Sequence, residues 1–287
     1  MLLKNYRTVF MEELSSLYDD YETESFFYII LEDFHKMKRV DLALNPTFEL
    51  TPEMLQQWEN VLAQLKEHRP IQYILGETEF YGLPFYVNEN TLIPRQETEE
   101  LVDWIIKENT NNNSDKEIKV LDIGTGTGCI AISLAKNIPG AKVFAMDISE
   151  KALATAQRNA ERNEVDITFI HQSILETEDL QQIFDIIVSN PPYVRNLEKV
   201  EIKKNVLDFE PHLALFVEDD DAFVFYRKIT ELATQHLYEN GQLYFEINQY
   251  LGQEMVWLLE KYSFKNIELR KDIYGNDRMI FGVFGDQ

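Results

Sequence analysis

Asn190-Pro191-Pro192-Tyr193 follows directly on the β-branched run Ile186-Ile187-Val188-Ser189. A strand ending here would end in two residues that have no backbone N–H to give. Asn190 carries a side-chain carbonyl, and Pro191, its φ fixed by the ring, presents its own carbonyl rigidly. Two neighbouring acceptors suit a planar NH₂ group, which has two hydrogens to donate. Tyr193 can pack on the flat group bearing that nitrogen. Asn-Pro is also a common turn pair, so Asn190-Pro191-Pro192-Tyr193 alone reads first as a stiff strand-ending turn.

A second cluster is Gly124-Thr125-Gly126-Thr127-Gly128, within VLDIGTGTGCIA. Glycines between a strand and a helix let backbone approach a ligand at the carboxyl end of the strand. The spacing is G-x-G-x-G, not the dinucleotide fingerprint G-x-G-x-x-G, and Asp122 stands two residues before the first glycine. Asp147 ends the next strand-like run, in VFAMDIS. An acid there can accept hydrogen bonds from a ribose diol or cap the helix beginning near Ser149. Beside the glycine loop, the ribose reading is the stronger. Cys129, the one cysteine, reads as a small buried residue packed behind the loop.

These groups need strand tips to hold them. From residue 118 the chain alternates strand patterns at 118–123, 142–146, 167–171, 184–189 and 242–247 with helix patterns near 128–137, 150–163, 221–238 and 250–262. That alternation predicts an α/β fold with a doubly wound parallel sheet covered on both faces. The tips bearing Gly124, Asp147 and Asn190 then face one crevice. KNIELR and RMIFGVF flank Tyr274-Gly275-Asn276-Asp277, a hairpin signal, which gives the sheet an antiparallel edge at its C-terminal end.

Residues 1–70 read as a small helical domain. Thr51-Pro52-Glu53 is a helix start, and Met54, Leu55, Trp58, Val61, Leu62 and Leu65 form one apolar face behind it. Phe26, Phe27, Ile29, Ile30 and Phe34 suggest another buried helix. Residues 71–95 mix aromatic and β-branched residues with Gly and Pro, as a hairpin or linker does. A helix from 97 has Leu101, Val102, Ile105 and Ile106 on its apolar face and Glu97, Glu99 and Glu100 in its first turn. The polar stretch 109–117 reads as a surface loop, and residues 96–287 as the ligand-binding domain.

Charge excludes some partners. Lys+Arg 27 against Asp+Glu 50 gives −23, whereas a protein that neutralises phosphates carries a basic stripe. Bare duplex DNA is therefore not the expected partner. No apolar run approaches the roughly 18–20 residues of a membrane span, the N-terminus is too polar for a signal peptide, and the five histidines are scattered, so no metal site is expected. The chain reads as cytoplasmic.

The Asp122–Gly128 pattern with the antiparallel final strand resembles the class I S-adenosylmethionine-dependent methyltransferases, over residues 118–284. The resemblance implies a seven-stranded, mainly parallel sheet with an antiparallel C-terminal strand, and S-adenosylmethionine as the cofactor. An amide or aryl-amine nitrogen hides its lone pair in resonance. Acceptors that fix both its hydrogens aim it at a sulfonium methyl and favour the charge developing on it. Asn190–Tyr193 resembles the motif of methyltransferases acting on such nitrogens, in adenine or in glutamine. RPIQYILGETEFYGLPFYVNENTLIPRQETEELV, SNPPYV, FEPHLAL, GQLYFEI and DIYGNDR together resemble the release-factor glutamine methyltransferases, the PrmC/HemK family, from about residue 69 to the C-terminus. This implies as substrate the glutamine of the Gly-Gly-Gln loop of class 1 peptide-chain release factors, with the helical domain recognising it. An adenine-N6 nucleic-acid methyltransferase and a ribosomal-protein glutamine methyltransferase are the competing readings, and a non-enzymatic scaffold is a third. In the family pattern Leu175 occupies the place of an aromatic near the adenine, Gln96 that of a proline, and Asn248 that of a glycine. Arg95 either contacts the cofactor's carboxylate or pairs with Glu97 or Glu99. Thr98 either lines the cofactor pocket or caps its helix. Phe80 and Tyr81 wall the glutamine pocket or, by default, belong to the core, and Glu210-Pro211 either braces the Asn190 loop or is a turn.

Overall fold

Two side chains show how the helical part of the chain is punctuated. Asp19 accepts the N–H of Glu22 at 2.8 Å and Thr51 that of Met54 at 3.3 Å, each satisfying a donor that a first helical turn leaves free. The computed structural model describes residues 1–110, 117–219 and 221–285. Most of the surface loop expected at 109–117, residues 111–116, lies outside the described residues. Contacts divide the chain into two units, Met1–Gly76 with Lys203–Phe209, and Glu77–Ile202 with Glu210–Gln287.

The first unit contains α1 (Leu3–Leu14), α2 (Asp20–His35), α3 (Arg39–Leu44), α4 (Pro52–Lys66), α5 (Ile71–Leu75) and α9 (Lys204–Phe209). Phe10, Phe27, Ile30, Trp58 and Leu65 are fully buried at its centre. The Phe10 and Phe27 rings meet edge to face at 5.7 Å, and Trp58 stands edge-on to Phe10 at 6.0 Å. Trp58 donates its indole N–H to Nε2 of His35 at 2.9 Å, so its one polar atom is satisfied. Ile71 belongs to this core, which continues past the proline at which composition alone changes.

The second unit opens with a hairpin, β1 (Glu77–Phe80) and β2 (Leu83–Tyr86), and the helix α6 (Gln96–Thr110). The sheet strands are β3 (Ile118–Ile123), β4 (Ala141–Asp147), β5 (Ile167–His171), β6 (Phe184–Ser189), β9 (Leu237–Glu246), β10 (Phe264–Lys271) and β11 (Asp277–Phe284). The helices α7 (Cys129–Asn137), α8 (Glu150–Arg162), α11 (Val224–His236) and α12 (Gly252–Lys261) connect them, and β7 (Val194–Arg195), α10 (His212–Leu215) and β8 (Phe216–Val217) form a small excursion after β6. Sheet order is β10-β11-β9-β6-β3-β4-β5, parallel from β9 to β5. Only β11 runs antiparallel to its neighbours β9 and β10. The antiparallel strand is thus not the edge expected from the sequence: β11 is inserted, and β10 forms the edge.

Successive side chains of β3 feed opposite faces. Leu121 and Ile123 enter a cluster with Phe144, Ile187 and Phe245, while Val120 enters one with Trp104, Ile130 and Tyr244. Burial on both faces explains why these strands read as continuous apolar runs. Strand order reverses between β3 and β6, and at such a switch the loops after two neighbouring parallel strands diverge and leave a crevice.

Candidate active site at the switch point

Ser189 pairs with Ile123 across β6 and β3, which brings the residues that follow, Asn190 and Gly124, to the same end of the crevice. A cavity of ≈ 300 Å³ opens there, at the lower end of the roughly 300–1,000 Å³ typical of small-molecule sites. Gly124, Gly126, Asp147, Leu175, Asn190, Pro191 and Pro192 line it. Two segments not expected from the sequence line it as well: 89–92, after the hairpin, and Leu213 with Ala214 on α10.

Gly126 has φ +55° and an ideal Cβ there would meet nothing within 4 Å, so glycine answers to backbone conformation and leaves that wall open to a ligand. Gly128 answers to packing as well: at φ +81° a Cβ would lie 3.0 Å from Ile132 and 3.1 Å from Ala156. Thr125, Thr127 and Gly128 are outside the lining. The Thr125 hydroxyl donates to Oδ2 of Asp122 at 2.6 Å, and the Thr127 carbonyl accepts from Asn159 at 2.9 Å. These residues hold the loop in shape. Burial pushes the Asp122 carboxyl up to about 7, with hydrogen bonds from the Thr125 hydroxyl and the Ala131 backbone opposing.

Asp147 accepts the N–H groups of Gly126 and Ser149, each at 2.9 Å. Its carboxyl is raised by burial, with these backbone bonds opposing. The helix cap is Ser149, whose hydroxyl accepts from Ala152 at 3.2 Å, so Asp147 is not the cap.

Arg95 and Thr98 do not line the cavity. Arg95 pairs with Glu210 at 2.5 Å, rather than with Glu97 or Glu99. Glu210 also accepts the N–H of Ile93 at 3.1 Å, so it braces the segment before α6 and not the Asn190 loop; Pro211 lines the cavity. Thr98 is not a cap either: its hydroxyl donates to Oε2 of Glu246 at 2.6 Å. Phe80 is core, and half-buried Tyr81 bonds Glu99 and Asp103.

Tyr193 is outside the lining and turns toward Glu246 Oε1, to which its hydroxyl donates at 3.3 Å. Burial raises the pKa of both groups. Glu246, at the end of β9, is the residue that sequence reading passed over, although an acid closing the apolar run Leu243-Tyr244-Phe245 was a signal. Asn248 donates to the carbonyl of Tyr193 at 3.2 Å and to Glu198 at 3.2 Å, anchoring the backbone that leaves the loop. Among the described residues no three His, Cys, Asp or Glu side chains are grouped to hold a metal ion, and no helix is long and apolar enough to cross a membrane.

Residues 10–76 match the family model described as the PrmC N-terminal domain, and residues 104–209 match the methyltransferase small domain. A release factor glutamine methyltransferase of Flavobacterium psychrophilum is 73% identical over 280 residues, covering 98% of this chain and 98% of the relative. One of Bacteroides thetaiotaomicron is 44% identical, covering 94% and 95%. Among solved structures, a 16S rRNA methyltransferase of T. thermophilus, in complex with AdoMet and guanosine, aligns with a TM-score of 0.53 at 19% identity, covering 72% of this chain and 49% of that one. That likeness is one of fold, the class I methyltransferase sheet. Identity of this extent across both units means that the chain belongs to the release factor glutamine methyltransferases.

Proposed function

We propose that the chain transfers a methyl group from S-adenosylmethionine to the side-chain amide nitrogen of the glutamine in the Gly-Gly-Gln loop of class 1 peptide-chain release factors. The observation that carries this reading is that Asn190, Pro191 and Pro192 share one cavity with Gly124, Gly126 and Asp147. An amide-holding motif and a nucleoside-holding motif thereby meet in one space.

The residues fit the cofactor. The Asp147 oxygens, held by the Gly126 and Ser149 N–H groups, keep lone pairs for a ribose diol. Ile148 and Leu175 line the cavity with exposed apolar side chains that can cover a flat base, and Gly124 and Gly126 present bare backbone. S-adenosylmethionine supplies an electrophilic methyl group on a sulfonium. Asn190 Oδ1 and the Pro191 carbonyl accept the two hydrogens of the glutamine amide, fixing its plane. As positive charge develops on that nitrogen, both acceptors hold it more tightly than in the ground state.

The adenine-N6 reading is not favoured, since the relatives named above act on release-factor glutamine and the chain carries −23. The helical segment 1–70 is read as the part that recognises the release factor, and the cytoplasm as the place of action. Labelled S-adenosylmethionine offered with a release factor or with duplex DNA tests the activity. Label is expected on the Gly-Gly-Gln glutamine; label on adenine reverses the reading. For the helical segment, removal should raise KM for the release factor and spare S-adenosylmethionine binding. A folded, truncated chain with full kcat/KM on intact release factor ends that role.

A further inference from the structure

A carboxamide has two ends of nearly equal size and opposite hydrogen-bonding sense. The proposed reaction needs Asn190 to face the cavity with its oxygen. With its NH₂ turned inward it would meet the hydrogens of the target amide. Nothing in asparagine itself chooses between these orientations, so the choice must come from behind it.

We infer that Thr98 and Glu246 make that choice: they are positioning residues that hold the Asn190 carboxamide oxygen-inward, and so set a preference for a glutamine amide over a carboxylate. The inference rests on the function proposed above and deepens it. Nδ2 of Asn190 donates to Oγ1 of Thr98 at 3.4 Å, and Oγ1 of Thr98 donates to Oε2 of Glu246 at 2.6 Å. A hydroxyl has one hydrogen. Once that hydrogen goes to Glu246, the Thr98 oxygen can only accept, and the Asn190 atom facing it must be the donor. Glu246 fixes the direction of the relay because its Oε2 takes the Thr98 hydroxyl hydrogen. Its other oxygen takes the Tyr193 hydroxyl at 3.3 Å, so every donor in the group points toward it.

Topology places the three residues together. Ser189 pairs with Phe245 across β6 and β9, so Asn190 and Glu246, each one residue further on, leave neighbouring strands side by side. The first turn of α6 brings Thr98 to them. Thr98 is 3% and Glu246 2% exposed. Water has no ready access to replace a missing member, and a lost hydroxyl leaves the Asn190 NH₂ without its partner. Turning inward would then give that NH₂ an acceptor in a carboxylate target, or in a glutamine amide reversed so that its nitrogen leaves the reacting position.

The full-length enzyme tests this as wild type, Thr98→Val and Thr98→Ser. Release factors carrying Gln or Glu at the target position are used, the Glu form as a competitor. For Thr98→Val we expect kcat on the Gln form to fall about tenfold, the scale for one modest hydrogen bond. S-adenosylmethionine affinity should hold, and the Glu form should inhibit more tightly than it inhibits wild type. Thr98→Ser, which keeps the hydroxyl, should restore both kcat and the weak inhibition. If Thr98→Val does not fold, Thr98→Ala takes its place in the same comparison. Wild-type kcat with unchanged inhibition by the Glu form overturns the inference. So does equal slowing by Val and Ser, which would mean that only the packing of the threonine methyl matters. A wild-type enzyme that leaves the release-factor glutamine unlabelled overturns the proposed function itself, and this inference with it.

Discussion

The main-chain N–H of Gly126 donates to Oδ2 of Asp147 across 2.9 Å. The acid read as a ribose acceptor therefore also fastens the glycine loop, and the two motifs act as one unit. Asp147→Ala should weaken S-adenosylmethionine binding by about 1.5–3 kcal/mol, the scale for hydrogen bonds to a charged group. It should also lower the melting temperature of the ligand-free protein, because the Gly126 and Ser149 N–H groups lose their acceptor. Calorimetric titration reads the first effect and a thermal melt the second. Unchanged affinity would remove Asp147 from the site.

Asn190→Ala removes an acceptor aimed at the reacting nitrogen. Its cost should fall on kcat, by roughly 10²–10³, as for losing one preorganised electrostatic partner. Cofactor affinity should change much less. In wild type, a Glu target has no NH₂ hydrogens for the paired acceptors and should be strongly rejected, and an Asn target, one methylene short, should bind but react slowly. Single-turnover methylation of all three targets measures this. Wild-type kcat from Asn190→Ala would reduce Asn190–Tyr193 to a stiff turn.

Asp122 makes stability depend on pH. Its folded pKa of about 7 lies above the ordinary value of 3.8 because burial penalises the charge. The folded state therefore holds a proton that the unfolded state has lost between these values. Stability from this group declines as pH rises through that window, by up to about 1.4 kcal/mol per unit, and is flat above it. Asp122→Asn lacks the effect. The melting-temperature difference between the variant and wild type, without ligand, should move in the variant's favour from pH 5 to pH 7 and then stop. A difference constant from pH 5 to pH 8 would show that Asp122 titrates normally.

Duplex DNA should bind negligibly near physiological salt. A net charge of −23 offers few cations whose contacts would release counterions. Fluorescence anisotropy showing sub-micromolar affinity with a steep salt slope would revive the nucleic-acid reading.

Much of the sheet was legible because buried parallel strands announce themselves. The runs at 118–123, 167–171 and 184–189 coincide with β3, β5 and β6, since apolar residues on both faces leave little ambiguity about where a strand stops. The position of β11 was not legible. A hairpin signal fixes that β10 and β11 pair, but not which one docks on β9. Burial decides it: Met279 and Ile280 of β11 are enclosed, whereas every residue of β10 after Phe264 is only partly covered or exposed. The glycine and Asn-Pro-Pro motifs stood out because their residue types are rare in ordinary strands. Glu246 and Glu210 did not, because each is a single acid whose meaning depends on partners 148 and 115–117 residues away.

The insertion of β11 also bears on how the chain is made. Until residues 277–284 leave the ribosome, β9 has β6 on one side and nothing on the other, so the row of N–H and C=O groups from Gln242 to Glu246 is open. At the centre of that row, Leu243-Tyr244-Phe245 is a buried apolar stretch, without the lysines or prolines that protect a natural edge. A product released early, before Asp277, would carry this unguarded edge permanently. Its fate would be strand-to-strand association with copies of itself, not a merely weakened enzyme.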